Sequence, residues 1–94
     1  MKPITSLKIL GHVVTITRVP ASFILSSNIG ESDSGQGTIK IVDGLEKSVY
    51  EATLLHETFH IIDKHLDLGL TEDQVSGLAQ GLFQVLRDNP RFMR

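Results

Sequence analysis

The longest stretch of the chain with helical spacing is EKSVYEATLLHETFHIIDKHL, residues 46–66. It contains neither Pro nor Gly, and its apolar residues recur at intervals of three and four, which predicts an amphipathic helix. The sequence LGL at residues 68–70 interrupts the pattern, and Thr71 follows as a candidate N-cap, with Gln74 as the reciprocal partner of a capping box. A second helix is therefore predicted from Thr71 to the proline at position 90.

The residues before the first helix predict β-strands. Val, Ile and Thr are frequent on both sides of Gly11-His12, a pair that can form the tight connection of a hairpin. The two strands of that hairpin are predicted at residues 7–10 and 13–19. Pro20 ends the second strand, because proline has no N–H to donate to a strand ladder.

A third strand is predicted at Thr38–Val42, where β-branched residues predominate. The preceding stretch, residues 26–37, consists mainly of Ser, Gly, Asn and Asp and is predicted to be a loop. The chain, residues 1–94, is therefore predicted to be a single α+β domain, in which a twisted sheet of about three strands packs on two helices. Residues 1–45 supply mainly β structure, and residues 46–90 supply the helices.

The composition indicates that this domain needs a source of stability besides its core. The chain has 94 residues, of which 40% are hydrophobic, and it contains no cysteine. A domain of this size buries only roughly 60 to 65% of the surface that its unfolded chain exposes. The absence of cysteine excludes disulfides and thiolate zinc sites, which leaves a metal held by His and carboxylate side chains, or self-association.

Charge and hydropathy exclude other classes of protein. Nine basic residues stand against eleven acidic ones, with one Tyr and no Trp, so the basic surface and stacking aromatics of a general nucleic-acid-binding protein are missing. No apolar run approaches about 18 residues, so no membrane span is predicted. The first residues lack the apolar region of a signal peptide, and the expected compartment is the cytoplasm of the producing or host cell.

The predicted first helix carries the pattern HExxH as His56-Glu57-Thr58-Phe59-His60. Two His residues four positions apart project from one helical face, about 6 Å apart, so both imidazoles can reach one tetrahedral Zn²⁺ at about 2.0 to 2.1 Å. Glu57 is rotated by about 100° and lies next to the metal, where it can take a proton from a metal-activated water and return it to a leaving amine. A chance match in a chain of this length is expected on the order of a few times per thousand.

The surroundings of the two His residues favour a metal site. Val49, His56 and His60 form one narrow stripe of the helix. Apolar residues flank the stripe on both sides, namely Ala52, Leu55, Phe59 and Ile62 on one and Tyr50, Leu54 and Ile61 on the other. The stripe is therefore predicted to face the body of the protein, where two imidazoles are poorly satisfied without a metal. A hydrogen-bonded structural pair is the alternative.

A third protein ligand would leave one position of a zinc ion open for water. Asp63 lies about 10.5 Å along the axis from His56, so it is predicted at most to contact an imidazole, with a solvated side chain the favoured alternative. His65 points to the solvated face. Glu72 opens the second helix, and a tight return through residues 68–70 can bring it beside the first helix, although an acid in a first helical turn is also favourable on its own.

The second helix is predicted to pack through one apolar face. The residues of that face are Val75, Leu78, Ala79, Leu82 and Leu86. Gly77 and Gly81 lie on the same helix, where each costs about 1 kcal/mol relative to Ala if it is exposed. They are predicted to mark close approach to another backbone, the alternative being a weak helix.

The order of these motifs resembles a known family. With His56-Glu57-x-x-His60 followed by EDQVSGLA at residues 72–79, the chain resembles the zincin metallopeptidases that use Glu as third zinc ligand, the gluzincins. More narrowly, it resembles the minimal zincin-like proteins of phages and mobile elements related to the ImmA/IrrE metallopeptidases. In those relatives a helix of the E-x-x-A-x-x-F-A type follows the HExxH helix. The positions that fit it, with conservative changes, are Glu72, Val75, Leu78 and Ala79.

The resemblance implies one zinc ion bound by His56, His60 and Glu72, with Glu57 as general base, in a zinc-dependent endopeptidase that hydrolyses peptide bonds. It also implies a zincin-like fold, in which an edge strand runs beside the active-site helix and pairs with an extended protein or peptide substrate. The strand at residues 38–42 is the candidate for that edge. The residues predicted to bind the peptide are therefore Thr38, Ile39, Lys40 and Ile41.

Two other functions stay open at this point. One is a catalytically silent, zinc-stabilised module that binds a peptide or protein, and the other is a metal-free αβ interaction domain. Glu57 argues against the first, because a structural zinc gains nothing from a neighbouring base and structural sites prefer four protein ligands. The natural substrate and the oligomeric state do not follow from the sequence.

Overall fold

Four strands and two helices make up the fold in the computed structural model, which describes residues 4–24 and 28–93. The α+β class predicted from the sequence is confirmed. In chain order the elements are β1 (Ser6–Ile9), β2 (His12–Val19), β3 (Gly30–Asp33), β4 (Thr38–Val42), α1 (Lys47–Leu66) and α2 (Glu72–Asp88), with a 3-10 turn at Ala21–Phe23.

The strands form one mixed sheet in the order β1-β2-β4-β3. β1 and β2 are an antiparallel hairpin, and its turn at Leu10-Gly11 has φ values of 51° and 83°, as a two-residue turn of the I′ type requires. The hairpin is as predicted, with its turn shifted toward the N-terminus from Gly11-His12. β2 then pairs in parallel with β4, and β3 pairs with β4 in antiparallel.

The prediction of about three strands is wrong, because β3 adds a fourth. This strand lies in the stretch that composition predicted to be a loop, of which residues 26 and 27 fall outside the described residues. Its sequence, GESD, has no alternating apolar residues. The positions that face α1 lie so close to the helix that they leave no room for large apolar side chains. The turn after it favours the pairing: Asp33 Oδ1 accepts from the Gln36 N–H at 3.0 Å, and Gly37 has a φ of 67°.

Thr38–Val42 is not an edge strand, contrary to the prediction. It lies between β2 and β3 and pairs with both. The four residues predicted to bind a peptide, Thr38, Ile39, Lys40 and Ile41, therefore have their backbone groups directed at neighbouring strands, and Ile39 and Ile41 are fully buried in the core. Of the two edge strands, β3 packs more extensively against α1 than β1 does.

The core lies between one face of the sheet and α1. Its buried members are Ile9, Val14, Ile16, Ile39, Ile41 and Ile61, and Leu7, Leu45, Tyr50, Leu54 and Ile62 pack around them. All of these residues except Leu45 come from strands β1, β2 and β4 or from α1. α2 packs against α1 and so forms an outer layer on the same side of the sheet.

α1 packs on the core through the predicted flank with Tyr50, Leu54 and Ile61, and not through the predicted stripe itself. The buried residues of this helix are Thr53, Glu57, Ile61 and Asp63. Val49, in contrast, is exposed, and the His56 and His60 side chains retain 23% and 26% exposure. The predicted His stripe thus lies at the border of the core, because β3 approaches the helix on the Glu57 side and leaves the His side facing an open cleft.

α2 begins with the predicted capping box. The Gln74 N–H donates to Thr71 Oγ1 at 3.1 Å, and the Thr71 N–H donates to Gln74 Oε1 at 2.9 Å. The apolar face is only partly buried: Val75 and Ala79 are in the interior, whereas Leu78 is 50% exposed. Within the described residues, neither α1 nor α2 is long and apolar enough to cross a membrane.

The glycines of α2 do not mark a close approach. A Cβ added at Gly77 or Gly81 meets no atom within 4 Å, so the prediction of a tight backbone contact there is wrong. Both glycines lie on the exposed side of the helix, where they weaken its intrinsic propensity. The close approach between backbone and helix occurs at Gly30 instead, where the added Cβ lies 2.7 Å from Thr53 Cγ2.

Candidate metal centre

Three predicted ligands come together at the junction of the two helices. The Nε2 atoms of His56 and His60 lie 3.1 Å apart on α1. Glu72, the first residue of α2, places Oε1 2.8 Å from Nε2 of His56 and Oε2 2.9 Å from Nε2 of His60. These three side chains form a group that could hold a metal ion.

The loop between the helices places Glu72 beside the two His residues. Asp67 adopts the left-handed conformation that ends α1, with φ 52° and ψ 48°. Asp63 then holds the returning chain, because its Oδ1 accepts from the Leu70 N–H at 3.1 Å and its carbonyl accepts from the Leu68 N–H at 3.2 Å. The Thr71 capping box follows directly and orients the first turn of α2.

Asp63 is buried, with 8% exposure, so the expectation of a solvated side chain is wrong. Its carboxylate faces the interhelical loop, where a backbone N–H needs an acceptor. Asp63 therefore acts on the site indirectly, by closing the loop that carries Glu72, and it is outside the group of candidate ligands.

The spacing of the three ligand atoms fits a small tetrahedral cation. Bonds of about 2.0 to 2.1 Å at tetrahedral angles separate ligand atoms by about 3.3 Å. The two Nε2 atoms are 3.1 Å apart, and each Nε2 lies 2.8 to 2.9 Å from a different oxygen of Glu72, so these separations are shorter than this value by a few tenths of an ångström. Two imidazole nitrogens and a carboxylate, with no thiolate, are also the donors found at zinc sites that keep an open position.

The same distances are unfavourable without a cation. A neutral imidazole protonated at Nδ1 presents a lone pair at Nε2, so two such rings and Glu72 direct lone pairs at one another. Protonation of His56 and His60 at Nε2 would satisfy Glu72, but it would place two N–H groups face to face at 3.1 Å. With one ring protonated at Nε2 and the other at Nδ1, the two imidazoles hydrogen-bond each other, but one Nε2 lone pair then faces a Glu72 oxygen at 2.8 to 2.9 Å. A cation among the three side chains removes the conflict in each of these cases, which favours a metal site over a hydrogen-bonded structural pair.

Glu57 lies outside the ligand group, on the side of α1 that faces β3. It is 6% exposed, and Ser32 faces it from β3. Burial raises the pKa of Glu57 above its ordinary value of 4.5, while the Ser32 hydroxyl and the charges of His60 and His56 act in the opposite direction. Glu57 is therefore a buried carboxylate within electrostatic reach of the three candidate ligands.

A cleft of about 880 Å³ opens over these residues. β3 borders it on one side, and α1 and α2 border it on the other. Val49, Ala52 and Phe83 give one part of the cleft an apolar lining, and Lys64 and Arg87 contribute positive charge. The candidate ligands line this cleft and are thus accessible from solvent.

Three residues considered from the sequence lie away from the metal group. His65 stacks on His12 with ring centroids 4.2 Å apart, at the end of α1 that contacts the β1–β2 hairpin. Tyr50 packs against the core, and the Arg18 guanidinium lies 4.3 Å above its ring. The prediction that His65 is exposed is confirmed.

Sequence reasoning missed the contribution of β3 to the site. Gly30 and Ser32 contact Glu57, yet both fall in a segment that composition predicted to be a loop. The available signal was the pair Gly35 and Gly37 directly before the predicted strand at residues 38–42, since a short Gly-containing connection indicates a hairpin. That signal predicts a partner strand but not its contact with α1.

Comparison of the chain with family models, curated proteins and solved structures found no match.

Proposed function

We propose that this protein is a zinc-dependent metallopeptidase. The observation that carries the proposal is the convergence of the His56, His60 and Glu72 ligand atoms, with the Glu57 carboxylate held beside them and outside the ligand group. A metal site with three protein ligands keeps a position for water, which is the pattern of catalytic zinc sites. A structural site would more often close that position with a fourth ligand.

A zinc ion held by His56, His60 and Glu72 would supply a Lewis acid, which would polarise a scissile carbonyl and lower the pKa of a coordinated water toward about 7. Zinc is favoured over other metals because the donors are two imidazoles and one carboxylate in a nearly tetrahedral spacing. Mg²⁺ and Ca²⁺ prefer sites made entirely of oxygen ligands.

Glu57 is the general base of the proposed reaction. It follows His56 directly on α1 and lines the same cleft as the three candidate ligands, outside the ligand group. There it accepts a proton from the attacking water and later donates that proton to the leaving amine. Its burial keeps bulk water from competing for the carboxylate.

The substrate is proposed to be an extended peptide that pairs with β3. The Val42 N–H donates to the Ile29 carbonyl at 2.9 Å, so Ile29 and Val42 form a hydrogen-bonded pair of the ladder. The next pair, Gly30 and Ile41, therefore has no backbone hydrogen bond between its two members. By the alternation of an antiparallel ladder, the backbone groups of Gly30 and Ser32 then point away from β4, toward the open edge and the cleft. This edge takes the role that the sequence assigned to Thr38–Ile41.

The arrangement supports the family resemblance as a proposal. A sheet edge beside an HExxH helix, followed by a helix whose first residue is a third ligand, is the order expected of a minimal gluzincin of phage or mobile-element type.

The Glu57→Gln variant tests the catalytic proposal. Zinc-loaded parent protein is incubated with a peptide library, and cleavage products are identified by mass spectrometry. Glu57→Gln is expected to lose at least about 100-fold in rate, because general acid and base catalysis contributes roughly that much or more. Metal analysis should find about one zinc ion per chain in both proteins. Glu51→Gln, an exposed change on the same helix, is the control and should cleave at the parent rate.

The same measurements separate the peptidase from a binding module. A module that only holds a peptide predicts one zinc ion per chain and a peptide complex, with no cleavage in either parent or variant. Cleavage by Glu57→Gln at the parent rate would instead contradict the role of Glu57. A parent protein that binds no zinc would leave the metal-free interaction domain as the better description.

A further inference from the structure

Two residues of β3 lie directly against the proposed general base. Gly30 and Ser32 alternate with Glu31 along the strand, so both face the same side of the sheet, the side covered by α1. Ser32 faces Glu57 from β3, and its hydroxyl lowers the pKa of the Glu57 carboxyl against the effect of burial. A Cβ at Gly30 would lie 3.2 Å from Glu57 Oε2 and 3.4 Å from Glu57 Cγ.

The absence of a side chain at Gly30 is what permits this approach. The same added Cβ would lie 2.7 Å from Thr53 Cγ2, a distance that Cβ atoms in proteins essentially never show. Gly30 is buried, and Thr53 is fixed by a hydrogen bond of 2.7 Å from its Oγ1 to the Val49 carbonyl. The strand can therefore bring Ser32 to Glu57 only while position 30 is glycine.

We propose that Ser32 is a positioning residue for Glu57, and that Gly30 makes its contact with Glu57 possible. The Ser32 hydroxyl donates to the Glu57 carboxylate and restricts its rotation, so that the carboxylate stays directed at the cleft. This inference rests on the proposed peptidase function, because it gives Ser32 a role in a reaction that Glu57 carries out.

The same strand connects substrate binding to the base. The side chains at positions 30 and 32 face α1, while the backbone groups of these two residues point to the open edge. A peptide that pairs with β3 therefore bonds to the backbone of Ser32 itself. Pairing restrains the strand, and through the Ser32 hydroxyl it restrains the Glu57 carboxylate.

Kinetics of Ser32 variants test the proposal. Ser32→Ala keeps the backbone groups that pair with substrate and removes the hydroxyl, so kcat should fall by about 10- to 100-fold while KM stays within about twofold of the parent value. Ser32→Thr keeps a hydroxyl on a residue that strands favour, and it should recover most of kcat. Ser6→Ala makes the same chemical change on β1, at the opposite edge of the sheet, and should match the parent.

A double-mutant cycle measures the contact without any need for activity. The melting temperatures of zinc-free parent, Ser32→Ala, Glu57→Ala and the double variant are compared. If the Ser32 hydroxyl bonds to Glu57, Ser32→Ala should lower Tm in the parent background. In the Glu57→Ala background the same change should lower Tm by about half as much or less. Equal decreases in both backgrounds would show that the two side chains do not interact.

The outcomes distinguish this inference from the proposed function. A parent protein that cleaves no peptide contradicts the peptidase function. An active parent with an equally active Ser32→Ala contradicts only the positioning role, as does an equal loss of kcat in Ser32→Ala and Ser32→Thr. A kcat loss restored by Thr, together with coupling in the cycle, establishes that Ser32 acts through Glu57.

Discussion

The Glu57 side chain carries a charge that the metal-free fold disfavours. Burial raises the pKa of Glu57 above 4.5, so the folded protein binds this proton more tightly than the unfolded chain does. The stability contributed by protonated Glu57 is fully present below about pH 4.5 and is lost as pH rises through the folded-state pKa. Urea denaturation in the presence of a chelator should therefore show Glu57→Gln to be more stable than the parent at pH 7.

The difference between the two proteins should disappear near pH 4, where Glu57 is protonated in both folded and unfolded chains. Glu51→Gln, on the exposed face of α1, controls for the general effect of removing one negative charge. A parent protein that is more stable than Glu57→Gln at pH 7 without metal would mean that Ser32 and the imidazoles outweigh the effect of burial.

Asp63 is the residue that holds the turn between the helices. Asp63→Ala leaves the Leu70 N–H without its acceptor and should lower the free energy of unfolding by about 1 to 3 kcal/mol. Asp63→Asn keeps a carbonyl oxygen in the same place and should lose much less. Urea denaturation of both variants checks this expectation, and an equal loss would show that the carboxylate charge, not the hydrogen bond to Leu70, stabilises the turn.

β3 packs on α1 at the point where Gly30, which has no side chain, meets the methyl group of Thr53. Gly30→Ala should displace the strand, since its Cβ would lie 2.7 Å from Thr53 Cγ2, and overpacking typically costs about 1 to 3 kcal/mol. Thr53→Ser removes that methyl group while keeping the hydroxyl that bonds to Val49. The combination of Gly30→Ala with Thr53→Ser should therefore be more stable in thermal melts than Gly30→Ala alone.

If Thr53→Ser does not improve Gly30→Ala, the remaining contact of the new Cβ with Glu57 is the cause of the loss. Thr58→Ser is the matched control, because Thr58 bonds to the Leu54 carbonyl in the same way as Thr53 bonds to Val49, without facing Gly30. It should give no improvement in the Gly30→Ala background.

The elements themselves were predictable to different degrees. Both helices, the capping box at Thr71 and the β1–β2 hairpin follow from residues that are neighbours in the chain. β3 did not follow, because its four residues carry no apolar alternation and its pairing partner was unknown. The inner position of β4 also depends on β2 pairing with it in parallel, which is a contact between distant segments.

At the scale of the whole molecule, the proposed metal joins the two helices of a small domain. Ligands on α1 and on the first residue of α2 are held together only in the folded chain, so zinc should bind the native state and not the unfolded one. At free zinc about 100-fold above the Kd, the gain is about 2.7 kcal/mol, which corresponds to a rise of roughly 10 to 20 °C in Tm.

Thermal melts with zinc and with a chelator measure this gain. His60→Ala should abolish the zinc-dependent rise in Tm, because it removes one of the three ligands. His65→Ala, on the same helix but stacked on His12 outside the group, should retain it. An equal rise in the parent and in His60→Ala would show that zinc stabilises the fold at another place.

By itself the sequence determined the spacing of His56 and His60, the offset of Glu57 and the capping box that begins α2, because each depends on residues a few positions apart. Only the tertiary structure decided that Glu72 reaches the His pair, that β3 is the edge beside α1 and that Ser32 contacts Glu57. These contacts join segments far apart in the chain. Their geometry follows from strand order and packing, which local periodicity does not encode.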